Sequence, residues 1–200
     1  MAFTTDLAAK LTREASSRPL TPPALWRQRV IAADLATVHF FSRWAEPRPL
    51  RYLAIGVSKL GNGWIYLILP LLIFLAPGRN GWPVILLAAL NAALLHMLYP
   101  IIKRRFRRKR PFHVDASLPS LLKTLDDHSF PSGHAMTITG VLAPIVIAWP
   151  AMTVSAVVIV VSMGWSRIAT AHHYPTDVIA GVSLALALSW PLSSYALTFF

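Results

Sequence analysis

The stretch WPVILLAALNAALLHMLYPII, Trp82 to Ile102, decides the fold. It runs for about 20 residues, and at roughly 1.5 Å of rise per residue a helix of that length crosses the ~30 Å core of a bilayer. His96, inside it, reads as a hydrogen-bonding residue turned towards neighbouring helices, as does His39 further upstream.

Outward from this segment the same character continues. Trp64 to Ala76 is densely apolar but short; the stretch from Tyr52 would lengthen it, although Lys59 and the turn-like Gly61-Asn62-Gly63 intervene. Downstream, Ala135 to Trp149 and Met152 to Trp165 are two short spans joined at Pro150, and Val178 to Phe200 is the last. Val30 to Phe41 is an arguable sixth because it carries Asp34, costly at mid-bilayer on an isolated helix but tolerable in a packed bundle. The expectation is an all-α integral membrane bundle of about six transmembrane helices. Trp26, Trp44, Trp64, Trp82, Trp149, Trp165 and Trp190 fall at or near the span ends, where an interfacial aromatic belt belongs.

Composition agrees. Hydrophobic residues make up 55% of the 200 and charged ones 14%, with a mean hydropathy of +0.53. A soluble domain needs roughly a quarter charged residues to cover its surface, so lipid must wrap this chain. The absence of cysteine excludes disulfides, thiolate catalysis and cysteine-ligated metal sites. Residues 1–29 mix five basic side chains with short apolar stretches and lack the unbroken apolar core of a cleavable signal. They read as a cytoplasmic or interfacial segment, ahead of a single transmembrane domain over 30–200.

The net charge of +11 is concentrated: seven of the 19 basic residues lie between Lys103 and Arg110. In a soluble protein such a run would suggest nucleic acid; in a membrane protein it suggests anionic headgroups or a phosphate substrate. Two polar connections, Lys103 to Pro131 and Ser166 to Thr176, are separated by an even number of crossings and so emerge on one side.

Three constellations sit in or beside them. Lys103 and Arg110, seven apart, share a face if the helix continues, and Pro111 is expected to end it at Arg110. An arginine fork can grip two phosphate oxygens. Arg104, Arg105, Arg107 and Arg108 read better as a solvated cluster that holds anionic lipid. In Pro131-Ser132-Gly133-His134, Ser132 can cap the next helix and Gly133 lets backbone approach a ligand, so the helix N-terminus makes a phosphate cradle with His134 beside it. Ser166-Arg167 adds a third cation. His173 and Asp177, four apart, face each other if the last helix begins near Pro175, and a carboxylate on one imidazole nitrogen leaves the other as a nucleophile. The bland reading is a structural His–Asp pair. His172 fits the spacing less well and reads as a bystander or supporting group; His113, His128 and Asp126-Asp127 have no spacing that demands a role. Positive charge dominates the loops and no metal-ligand pattern occurs, so no metal or other cofactor is expected.

Together these residues resemble the three-part signature of the type 2 phosphatidic acid phosphatase superfamily. The matching positions are Lys103 through Arg110-Pro111, Pro131 through His134, and Ser166-Arg167 through His173 to Asp177. The resemblance implies a membrane-bound lipid phosphatase in which Lys103, Arg110, Arg167, Ser132 and the Gly133 amide bind phosphate. It implies that His173 attacks phosphorus, Asp177 stabilises the imidazolium, and His134 serves as acid and then base. Phosphatidylglycerol phosphate, phosphatidic acid, undecaprenyl diphosphate and a polyprenyl-phosphate sugar phosphate are the candidate substrates. The expected partners are such a substrate and bilayer lipids, not nucleic acid. The related vanadate-dependent haloperoxidases offer a second reaction class, which the apolar spans disfavour, and an anionic-lipid-binding protein without catalysis is a third reading. The resemblance implies a site on the extracytoplasmic face of a bacterial cytoplasmic membrane, and the expectation follows it, although the basic loop from Lys103 points by the positive-inside rule to the cytoplasm.

Overall fold

The structure, a computed structural model, describes residues 21–75, 81–124 and 126–200, apart from the side chain of Ala24. Two units divide the chain, Met1–Ala33 and Asp34–Phe200; of the first, only residues 21–33 are described, the opening turns of helix α1, and the N-terminal segment expected over 1–29 lies outside the described residues up to residue 20. Among the described residues eight α-helices follow one another: α1 (Pro22–Trp44), α2 (Arg48–Lys59), α3 (Ile65–Leu75), α4 (Trp82–Phe106), the single turn α5 (Pro111–Val114), α6 (Gly133–Ala148), α7 (Thr153–Ala169) and α8 (Pro175–Ala196). The expected all-α membrane bundle is what the chain forms.

Among the described residues four helical stretches are long and apolar enough to cross a membrane: Arg48–Leu75, Trp82–Phe106, Pro150–Ala169 and Pro175–Phe199. The segment from Tyr52 therefore does extend the short apolar run, through the intervening glycines. A π-type turn at Leu60–Trp64 carries the helix across, and Gly63 takes a φ of 146° that a side chain would strain. Helix α6 is apolar but only 16 residues long.

Helix α6 is the centre of the bundle. Every residue from Ala135 to Ile145 is buried, as an all-round apolar helix must be, and it packs most extensively on α8 and α4. Asn91 of α4 is buried at this junction and donates to Gly140 O and to Ser193 Oγ, both at 3.0 Å. That one amide joins three helices where no water can compete. Outward-facing residues are large and apolar, among them Leu67, Phe74, Leu86, Met97, Val154 and Ile179, each more than half exposed. In water such a surface would be a liability; in lipid it is the solvent-facing one. His96 is exposed, but its Nδ1 lies 3.0 Å from Ala92 O of its own helix and 3.5 Å from Thr137 Oγ1 of α6, so it keeps one contact with the neighbouring helix. His39 is tied to Asp115 of the long connection at 2.9 Å.

Candidate active site

The ends of α4, α6, α7 and α8 bring the expected residues to one end of the bundle. Helix α4 stops earlier than the sequence suggested. It ends at Phe106, where Arg107 turns left-handed with φ 49°, rather than at Arg110. Lys103 and Arg110 thus share no helical face. Arg110 stands in extended backbone ahead of α5, yet it still meets Lys103 because both reach the same carboxylate. Lys103 Nζ donates to both oxygens of Asp126 at 2.9 and 3.1 Å, and Arg110 donates to Asp126 Oδ1 and to its backbone O, each at 3.0 Å. Burial works against the Asp126 charge, but the Lys103 ammonium, the Arg110 guanidinium and the His128 amide hold its carboxyl below the ordinary range.

Ser132 occupies the N-cap position of α6, after a cis Phe130–Pro131 bond. Its hydroxyl does not cap the helix, contrary to the sequence reading: it is fully buried and has no hydrogen-bond partner. The backbone instead anchors the turn, Ser132 N–H donating to Asp177 O at 3.0 Å. The first amides of α6, from Gly133 onward, lack partners within the helix by geometry alone. His134 stands on that first turn, and its Nε2 lies 2.6 Å from Asn62 Oδ1 at the π-turn.

The last turn of helix α7 carries Arg167, 5% exposed, whose Nη1 donates to Ser58 Oγ of α2 while Nε has no partner. After a left-handed Ala171 (φ 57°) the chain turns back, and the amides of His172 and His173 both donate to Arg167 O at 3.1 Å. His173 is buried, with Nε2 3.4 Å from Arg110 Nη1 and Nδ1 3.7 Å from Asp177 Oδ2. The i,i+4 spacing does bring His173 and Asp177 together, because α8 starts at Pro175, but 3.7 Å is longer than a hydrogen bond. Burial first, then Arg167, Arg110 and Lys103, push the His173 imidazole well below its ordinary pKa, so the ring is neutral at physiological pH. His172 has both nitrogens against carbonyls, Thr170 O at 2.7 Å and Leu122 O at 2.9 Å. Burial and Arg167 lower its pKa to about 4. It supports the loop, as its spacing suggested.

Several contributors escaped the sequence reading. Asp126 was passed over, and Ser58 and Asn62 lie in a stretch read only as an interrupted span. Arg108, read as lipid-facing, instead donates to Asp177 Oδ1, Asp34 Oδ2 and Thr176 Oγ1, each at 2.7 Å. Asp34 offered a signal, since an ionisable residue among apolar ones implies a buried partner; Asn62 and Ser58 offered none.

In total, three buried cations, a neutral buried imidazole, a free hydroxyl and a helix N-terminus converge at one end of the bundle, an arrangement suited to holding a tetrahedral oxyanion. Residues 81–199 match the PAP2 superfamily. A decaprenylphosphoryl-5-phosphoribose phosphatase of Mycobacterium tuberculosis is 37% identical over 138 residues, covering 66% of this chain and 72% of that one. A lipid A 1-phosphatase of Rhizobium etli is 27% identical over 162 residues, 70% of this chain and 69% of that one. The crystal structure of a transmembrane phosphatidylglycerolphosphate phosphatase from Bacillus subtilis superposes with a TM-score of 0.66 at 26% identity, covering 86% of this chain and 88% of its own. A family match over more than half the chain, carried on helices fit to cross a bilayer, makes this an integral membrane protein that belongs to the PAP2 superfamily.

Proposed function

We propose that the chain is a lipid phosphatase that hydrolyses a phosphate monoester or diphosphate of a membrane lipid through a phosphohistidine at His173, using no metal ion. The carrying observation is the convergence of Lys103, Arg110 and Arg167 on a buried, neutral His173 beside the unpartnered Ser132 hydroxyl. The three cations, Ser132 Oγ and the Gly133 amide hold the non-bridging oxygens. His173 Nε2 attacks phosphorus in line, the bond from phosphorus to the leaving oxygen breaks, and His134 gives that oxygen its proton. Asp177 stabilises the imidazolium-like adduct. His134 then takes a proton from water, whose oxygen attacks the same phosphorus; the N–P bond breaks and phosphate leaves. Fixed positive charge supplies the stabilisation on which phosphoryl transfer mostly depends. Residues 30–200 form the catalytic domain, and 1–29 an interfacial or cytoplasmic segment.

Label from substrate, trapped by a quench that avoids acid, is expected on residue 173 and lost in His173→Ala; a purified His173→Ala protein with full activity would overturn the proposal. Phosphate release should be compared across phosphatidylglycerol phosphate, phosphatidic acid, undecaprenyl diphosphate and a polyprenyl-phosphate sugar phosphate. The last heads the panel because the Mycobacterium relative is named for such a substrate.

We further propose that the site faces the cytoplasm of a bacterium, the reverse of what the resemblance alone implied. From Asp34 the chain follows the site end: Asp34 meets Arg108 and Thr176, His39 meets Asp115, and Ser42 donates to Ala169 O at 3.2 Å before α2 begins at Arg48. This end collects Arg43, Arg48, Arg51, the run 103–110 and Lys123, whereas the connection between α6 and α7 at the other end, residues 149–152, carries no charge. Short, lysine- and arginine-rich connections stay inside. The cysteine-free chain allows a direct test with Ala116→Cys in the site loop and Ala151→Cys at the far end. An impermeant maleimide added to intact cells should label the second and not the first, and inverted vesicles should reverse the pattern. Labelling of Ala116→Cys from outside would place the site on the outer face.

A further inference from the structure

The run from Lys103 to Arg110 is not uniform. Arg104, Arg105 and Arg107 are exposed, as lipid-facing cations should be. Arg108 is different: its side chain is 25% exposed, and it forms ion pairs with two aspartates that are themselves 3% and 0% exposed. Nη2 holds Asp34 and Nη1 holds Asp177, while the guanidinium carbon lies 3.9 Å from the Tyr174 ring centre.

The division of labour at Asp177 is the informative part. Its Oδ1 accepts from Arg108 at 2.7 Å, its Oδ2 accepts from Tyr174 N–H at 2.9 Å, and Oδ2 is also the oxygen that faces His173 Nδ1. A carboxylate held at one oxygen only can rotate; held at both, it has one orientation. Asp34 in turn accepts from Thr176 N–H at 3.1 Å and from the Thr176 hydroxyl, so the bridge ties α1 to the first turn of α8, where Asp177 sits. We infer that Arg108 is a positioning residue for the reaction, fixing the Asp177 carboxylate behind His173 through a buried bridge to Asp34. This rests on His173 being the nucleophile. The guanidinium geometry matters, because two nitrogens of one planar group reach two different carboxylates, which a lysine ammonium does not reproduce as well.

The test compares Arg108→Met, Arg108→Lys and Asp34→Asn with Arg105→Met as an exposed control from the same run, in detergent with the best substrate of the panel. Arg108→Met should lower kcat by about 10- to 100-fold with KM within about twofold, as expected when a reacting group is misplaced by an ångström or less. Arg108→Lys should recover part of that loss, Asp34→Asn should lower kcat in the same sense but less, and Arg105→Met should leave kcat unchanged. The rate of label appearance on His173 should fall in parallel with kcat. A rise in KM with kcat intact, or equal effects at 105 and 108, would mean that Arg108 holds lipid and would overturn the inference. If Arg108→Met fails to fold, an Asp34→Asn protein with unchanged kcat overturns it equally well. Retained activity in His173→Ala would instead sink the phosphohistidine reading beneath it.

Discussion

At the scale of single residues, burial does most of the chemistry. His173 is buried among cations, so its neutral form is favoured on two counts. Because its folded pKa is lowered, it stays unprotonated below the usual value near 6.5, and the stability this contributes is complete above that value and lost as pH falls. A 15N-histidine NMR titration in detergent should show the His173 ring neutral from pH 7 down to pH 5; protonation near 6.5 would contradict the site's electrostatics. Asp126 poses the opposite question, since it lends a negative charge to Lys103 and Arg110 where a phosphate would compete for them. Asp126→Asn should tighten inhibition by orthovanadate about tenfold, equivalent to ~1.4 kcal/mol. Weaker inhibition would mean that Asp126 instead holds the two cations in place. The residues fixed by the three-part signature were readable in the sequence because their identities and spacings are local. Asp126, Ser58 and Asn62 were not, because only the packing of distant helices makes them neighbours of the site.

At the scale of elements, the turn at Leu60–Trp64 converts one apolar helix into part of the site. Ser58, just ahead of the π-turn, meets Arg167, and Asn62, within the turn and next to the non-helical Gly63, meets His134. A Cβ at Gly61 would lie 2.6 Å from His134 Cδ2 and 2.7 Å from Met163 Cε. Gly61→Ala should therefore displace the His134 ring and lower kcat by about 10- to 100-fold while the protein stays folded. Unchanged turnover would show that the ring has room to yield. Helix existence was legible from apolar length alone, and the last helix began where Pro175 said it would. The ends of α2 and α4 were not legible: Lys59 and two glycines looked like a break, and the left-handed Arg107 has no marker of its own.

At the scale of the whole molecule, apolar side chains face outward as well as inward. The interior holds Asn91, Lys103, Arg110, Arg167, His173 and Asp177, and the exterior is leucine, valine and phenylalanine. Composition announced this before any motif did, which is why the architecture was easier to read than the site. The central helix α6 has 16 residues, about 24 Å at the standard rise, against ~30 Å of hydrocarbon. Its first turn carries the proposed phosphate cradle, so with that turn at the headgroup plane the other end of the rod stops short of the opposite headgroups unless the acyl chains around it compress. Turnover should consequently depend on lipid chain length: fastest in vesicles of short-chain lipids that match the short rod, and slower in long-chain ones, where stretching the mismatch costs fractions of a kcal/mol per ångström. An enzyme indifferent to chain length would indicate that its neighbouring helices, not the lipids, absorb the difference.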